Sequence, residues 1–271
     1  MLTNVYERGP RPAIGSRWPA RSPWRAGGVA VLVLALAPGG CKVAGAQAAH
    51  SESQHQAYQH QIDRVELDLD SGDIQLSPGS AGQVVVQRDL RWDKAKPTIT
   101  EKWNGATLQI SNACASGEHN CATNYEIELP QDVPVVGKTK AGNITTRGMH
   151  GTQDLETDAG DVTVEETRSA LTLRTNAGKV SGTGLGSTRI DAFSSAGNVS
   201  LTLTVVPDNV SAKSDAGDVD VRVPKTGSGG YSVQASTDAG TKTVSVDVNG
   251  GSPHKIVASS RSGNVTVRYA L

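Results

Sequence analysis

Aromatic residues are scarce in this chain: one phenylalanine, five tyrosines and four tryptophans among 271 residues. That excludes a core built on large rings, and it leaves few of the anchors that dominate tight protein interfaces. Helix-type apolar spacing is absent after the first forty residues, which excludes helical bundles and doubly wound α/β domains. Charge of either sign is not in excess: 26 basic and 27 acidic residues give a net of −1. With no Lys/Arg-rich run either, nucleic acid is not expected as a partner. Catalytic signatures are missing too, with no Gly-x-Ser-x-Gly elbow, no HExxH and no phosphate loop. Lys225-Thr226-Gly227 matches one motif of penicillin-binding enzymes, but without a Ser-x-x-Lys companion it reads as a turn.

What the chain has is glycine, thirty residues of it, in a recurring setting. Thr157–Val164 reads TDAGDVTV, Ser214–Val221 SDAGDVDV, Ser194–Leu201 SSAGNVSL, Thr175–Gly182 TNAGKVSG and Ser260–Val267 SRSGNVTV, with weaker copies from Asp70, Thr139 and Thr237. The central residues are Gly72, Gly142, Gly160, Gly178, Gly197, Gly217, Gly240 and Gly263. A period near twenty residues is the signature of a solenoid. Apolar residues alternate on both sides of each glycine, as in Leu171/Leu173 before Gly178 and Val162/Val164 after Gly160. Period two with β-branched residues means strands with one buried face. Each repeat is therefore strand, Ala-Gly corner, strand, looser turn. Glycine suits the corner because a positive φ there costs it nothing. A lone repeat cannot bury enough surface, so the coils must stack and share one aliphatic core. The expected class is an all-β solenoid.

Residues 1–40 carry Arg8, Arg11, Arg17, Arg21 and Arg25, then the apolar run Gly27–Ala37, then Pro38-Gly39-Gly40-Cys41. An apolar run this short is a secretory h-region rather than a membrane span. The ending resembles a bacterial lipoprotein signal, with Cys41 as the lipid acceptor, although Pro38 stands where that pattern prefers Leu; cleavage near Ala44–Ala49 and an uncleaved anchor are the alternatives. Residues 41–61 are polar and low in complexity and read as a flexible tether. His50, His55 and His60 read there as solvated residues, since five-residue spacing suits neither a helix face nor a strand face. Cys114 and Cys121 bracket a short loop, and in an exported protein they are expected to form a disulfide. A zinc site adding His119 lacks a fourth ligand at a standard spacing.

Residues 62–132 form an N-terminal β region: a repeat-like unit around Gly72, then less regular strands, with Asn104-Gly105 as a hairpin signal. Trp92 and Trp103 are expected to pack across strands over the solenoid end, the alternative being a sugar-stacking surface. Residues 133–271 hold the regular repeats. A strand ending in Leu129-Pro130, followed by a ladder of Ser/Thr-x-Ala/Ser-Gly-Asp/Asn-Val/Ile, resembles a bacterial domain family of unknown function often labelled "putative adhesin". The likeness spans about Ile62 to Leu271. It implies a right-handed β-helix-like solenoid, with an irregular N-terminal β cap here, on exported or membrane-anchored proteins. It implies no established enzymatic activity or ligand.

Asp73, Asp161 and Asp218 would stack at one corner, where paired carboxylates could do acid–base work. Asp158/Asp161 and Asp215/Asp218 raise the question of a calcium site, but Asn176/Lys179 and Ser195/Asn198 interrupt any acidic cage. A turn role for each Asp is the simpler reading, and no catalytic residue, metal or cofactor is expected. Gly182–Gly186 reads as a glycine-rich loop replacing a strand end. Gly227–Gly230 and Asn249–Pro253 read as insertions, and the segment 264–269 as a free edge open to a partner or a second copy. The expected function is a non-catalytic, lipid-anchored interaction scaffold on the outer face of a bacterial cytoplasmic membrane, contacting an envelope protein or a glycan. A regulatory envelope component with a membrane partner and a carbohydrate-active β-helix enzyme are the alternatives.

Overall fold

The computed structural model of the chain describes residues 50–270. Expectations for the leader, Cys41 and the first part of the tether lie outside them. In chain order the strands are β1 (His50–Tyr58), β2 (Arg64–Leu69), β3 (Ile74–Pro78), β4 (Val84–Trp92), β5 (Thr98–Asn104), β6 (Thr107–Ala113), β7 (Ala122–Leu129), β8 (Val135–Ala141), β9 (Ile144–Arg147), β10 (Gln153–Ala159), β11 (Val162–Glu165), β12 (Leu171–Ala177), β13 (Val180–Leu185), β14 (Arg189–Ala196), β15 (Val199–Leu203), β16 (Asn209–Ala216), β17 (Val219–Val223), β18 (Ser232–Ala239), β19 (Lys242–Ser245), β20 (Lys255–Ser262) and β21 (Val265–Tyr269). They build two sheets, ordered β1-β4-β7-β3-β9-β11-β13-β15-β17-β21-β19 and β18-β20-β16-β14-β12-β10-β8-β2-β6-β5. The pairs from β2 and β3 through the repeats are parallel; antiparallel pairing is confined to β1–β4, β4–β7 and β5–β6.

Each coil sends one strand to each sheet, and the alternating residues meet between them. Val162, Val180, Val199, Val219 and Val265 pair in register from coil to coil, and all are buried in one continuous cluster with Leu155, Leu173, Ala192, Ala212 and Ala258. Small aliphatics suffice because the sheets close directly on each other.

The order of coils differs from the order of repeats at both ends. After the Gly217 coil the chain skips a level, forms the Gly240 coil, and returns to slot the Gly263 coil between them; β20 pairs with both β16 and β18, and β21 with both β17 and β19. The stretches 227–230 and 249–253 belong to the outward and returning crossovers. Skipping one level requires a span of about 10 Å instead of about 5 Å, which accounts for the longer late repeats. Buried Tyr231 pins the crossover: its hydroxyl donates to Pro224 O at 2.6 Å, and burial pushes the phenol pKa up to about 12. The free edges at this end are accordingly β18 and β19, not the 264–269 strand. At the other end the same device recurs, with β2 between β6 and β8 and β3 between β7 and β9.

Further differences concern local pattern. Residues 50–58 form a strand along β4 where a tether is expected. An edge strand is satisfied by its backbone pairing and needs no apolar face, so its polar sequence concealed it. Tyr58 donates to Glu101, Ser53 to Asp89, and Arg88 to Gln54 at 2.6 Å and to Glu101. Half-burial and the Glu101 carboxylate hold the Tyr58 phenol pKa well above its ordinary value. His50 stacks on Trp92 (5.6 Å), and Trp103 meets Tyr58 edge-on and the tilted ring of His60 at 4.5 Å, so Trp92 of β4 and Trp103 of β5 hold the two ends of β1. β13 continues through Gly184 to Leu185 with a register shift after Gly182; Leu185 is buried, its Cδ1 2.7 Å from where a Cβ of Gly182 would stand. The hairpin loop between β5 and β6 is Gly105-Ala106, with Gly105 at φ 61°.

Candidate functional site

The corner is the most regular feature of the molecule. Gly178 has φ 156°, and a Cβ there would stand 1.9 Å from the carbonyl oxygen of Gly160. The same close approach links Gly142 to Gly72, Gly160 to Gly142, Gly197 to Gly178, Gly217 to Gly197, Gly263 to Gly217 and Gly240 to Gly263. The glycine is required by backbone stacked on backbone as well as by its own φ.

Two side-chain ladders complete the corner. Three residues before each glycine except Gly72, where Leu69 stands, a Ser or Thr points inward and donates to the glycine carbonyl of the preceding coil in the stack: Thr139 to Gly72 (3.1 Å), Thr157 to Gly142 (2.8 Å), Thr175 to Gly160 (2.8 Å), Ser194 to Gly178 (2.7 Å), Ser214 to Gly197 (2.8 Å), Ser260 to Gly217 (2.8 Å) and Thr237 to Gly263 (2.7 Å). One residue after the glycine, an Asp or Asn side chain accepts the backbone N–H of its equivalent in the next coil: Asp73 from Asn143, Asn143 from Asp161, Asp161 from Lys179, Asn198 from Asp218, Asp218 from Asn264 and Asn264 from Thr241. Asp73, Asp161 and Asp218 are thus never in adjacent coils, and each is committed to main chain. Among the described residues no His, Cys, Asp or Glu cluster has the form of a metal site.

Cys114 and Cys121 are joined in a disulfide, which removes the thiolates a zinc ion would need. The loop they close forms the corner of the outermost N-terminal coil. Glu118 on it accepts the backbone N–H groups of Asp93, Lys94 and Ala95 at 3.3, 3.1 and 3.0 Å; these bonds, led by that of Lys94, hold its carboxyl below the usual range.

The outward faces are flat and polar. On the eleven-stranded sheet Thr145, Thr163, Ser181 and Ser200 fall in one row across successive strands. Beside it Asp220 accepts from Arg222 (2.8 Å) and Arg268 (2.9 Å); burial raises its pKa, and the two guanidiniums more than offset that. On the ten-stranded sheet Asp68, Lys138, Glu156, Arg174, Phe193 and Lys213 form one row. Lys138 pairs with Glu156 at 3.0 Å and Arg174 with Asp191 at 2.9 Å. Sequence reasoning placed these side chains outward. It missed the buried Ser/Thr at the corner, although their recurrence in every copy from Gly142 onward was the available signal.

The looser turns form the opposite edge. There a groove of about 520 Å³ is lined by Pro78, Gln131, His150, Glu166, Arg168 and Thr204, with Gly148, Gly184 and Gly186.

Stacked coils turning at glycine, with hydroxyl and Asx ladders at the corner and polar outer faces, define a β-solenoid. The chain belongs to the Toastrack DUF4097 family, whose model matches residues 60–269. Similar solved structures include a "putative cell adhesion protein" of Clostridium sporogenes (11% identity, 82% of this chain and 100% of that one, TM-score 0.40). Others are "putative adhesins" of Bacteroides fragilis (12%, 81% and 97%, TM-score 0.44) and Parabacteroides distasonis (9%, 83% and 98%, TM-score 0.36). No curated protein matches the sequence.

Proposed function

We propose that the protein is an exported, non-catalytic binding scaffold, lipid-anchored through Cys41 at the outer face of a bacterial cytoplasmic membrane, whose polar faces engage an envelope protein or a surface glycan. The observation that carries the non-catalytic reading is the commitment of its carboxylates. Asp73, Asp161 and Asp218 hold main chain, and Glu156, Asp191 and Asp220 are paired with cations. None of these is left as one of two carboxylates facing each other across a cleft, the arrangement glycoside hydrolysis needs. Export is supported by the Cys114–Cys121 bond, since disulfides persist in oxidising compartments, and by the basic-then-apolar leader.

The test has two arms. Metabolic labelling with a fatty-acid probe should mark the wild-type chain and not C41S; equal labelling, or none, refutes the anchor. Crosslinking in intact envelopes, with a glycan array on the same protein, should return a specific protein or glycan. Turnover of an array polysaccharide would refute the non-catalytic reading.

A further inference from the structure

Two local rules are broken at one place, the turn after β11. Glu166 is the one non-glycine residue among those described with a positive φ, 54°. Its equivalents in the flanking coils, Gly148 and Gly184, both have φ 65°; the backbone bonds Gly148 N to Glu165 O and Glu166 N to Thr183 O fix that equivalence. A glutamate kept in a glycine conformation is strained, and such strain concentrates at functional sites.

The second broken rule lies beneath it. Gln153 is 2% exposed and occupies an inward position whose neighbours in register are Val135 and Leu171. It accepts from Thr146 at 2.6 Å and donates to Thr167 at 2.9 Å, and Thr167 donates to Met149 O at 2.6 Å. Thr167 sits between Glu166 and Arg168. A buried polar network in an apolar row therefore locks the backbone that presents these two exposed side chains. Rigid support of this kind is what a binding constellation needs.

The glycine-rich segment of β13 forms their bed. A Cβ at Gly184 would stand 3.4 Å from Glu166 Cγ, and one at Gly186 3.2 Å from Arg168 Cγ. A side chain at Gly186 would press on Arg168, while one at Gly184 would be in ordinary contact with Glu166 and disfavoured by the positive φ of 65°. The groove offers a carboxylate acceptor, a guanidinium donor, the amide of Gln131 and the ring of His150, with the side chain of Pro78 as its apolar wall. Glu166 and Arg168 cancel in charge, which disfavours an ionic ligand, while together they match the donor-and-acceptor pattern of adjacent hydroxyl groups.

We propose that the Glu166–Arg168 groove is a carbohydrate subsite for a neutral hexose unit of a larger glycan. The inference rests on the protein being a non-catalytic binder, and names where one ligand sits. With no aromatic platform, each contact is weak and useful affinity comes from multivalent display.

The test uses the full chain in a detergent without sugar headgroups. Saturation-transfer NMR with cellobiose and with maltose should show transfer to at least one sugar, reduced at least about tenfold in E166G and in R168A. Because a glycine in place of Glu166 would relax the strained turn, E166G should also melt about 2–4 °C higher. A bound sugar that E166G and R168A leave untouched overturns the site while the scaffold reading survives. No transfer to either sugar overturns the inference, and the envelope crosslinking above then decides the scaffold reading separately.

Discussion

Thr175→Val is the cleanest probe of how the corners hold. The substitution keeps the shape and the β-branch and removes only the hydroxyl. Thr175 is 1% exposed, and its hydroxyl donates to Gly160 O at 2.8 Å. That carbonyl accepts no other hydrogen bond among the described residues: the backbone N–H that would reach it in an unbroken ladder, that of the residue after Gly178, goes to Asp161 Oδ1 instead. A hydrogen bond lost as a pair costs about 0.5–1.5 kcal/mol, and a partner left unsatisfied raises this to about 1–3 kcal/mol. For a domain of this size each kcal/mol moves Tm by about 2–4 °C, so a drop of roughly 2–12 °C is expected for the unsatisfied carbonyl. Urea unfolding should show the loss as a shift of midpoint with unchanged slope. Thr172→Val, in the same strand but outward and half-exposed, is the control and should stay within about 0.5 kcal/mol. If T175V is as stable as T172V, the hydroxyl ladder contributes nothing and the explanation of the recurring Ser/Thr is wrong.

Gly178→Ala should cost about 3 kcal/mol or more, because its Cβ would overlap Gly160 O and neither partner can retreat without unstacking a coil; a folded variant with unchanged Tm would refute the stacked-glycine corner. Reducing Cys114–Cys121, or replacing both by serine, should remove about 2–3 kcal/mol for a loop this short, checked by melting with and without reductant; no shift would mean that Glu118 and its bonds hold the loop alone. Lys242 is exposed and stands at the inward register position, paired with Val265, on the last strand of its sheet. A charge there keeps an open edge from pairing. Lys242→Val should therefore produce concentration-dependent dimers by light scattering, and a K242V protein that stays monomeric would show that the end is protected in another way.

Much of the architecture is local and was legible in the residues. Alternation on both sides of Gly160 or Gly217 specifies two strands and the side each buries, because successive side chains of a strand point to opposite faces whatever lies next to it. The Ala-Gly corner, the Cys114–Cys121 loop and the hairpin around Gly105 follow from short-range geometry in the same way. The neighbours of each coil were not local. Every coil presents nearly the same rows of Val, Gly and Ser/Thr, so a parallel ladder is satisfied by any of them, and only the crossovers at 224–231 and 246–254 determine that the Gly263 coil enters between those of Gly217 and Gly240. The polar strand at residues 50–58, the role of Thr175 as a partner of Gly160, and the meeting of Glu166, Arg168 and the Gly184–Gly186 bed depend in turn on which coil is stacked on which. Periodicity determined what each rung is, and tertiary stacking decided what each rung touches, because nearly identical surfaces carry no instruction about their own order.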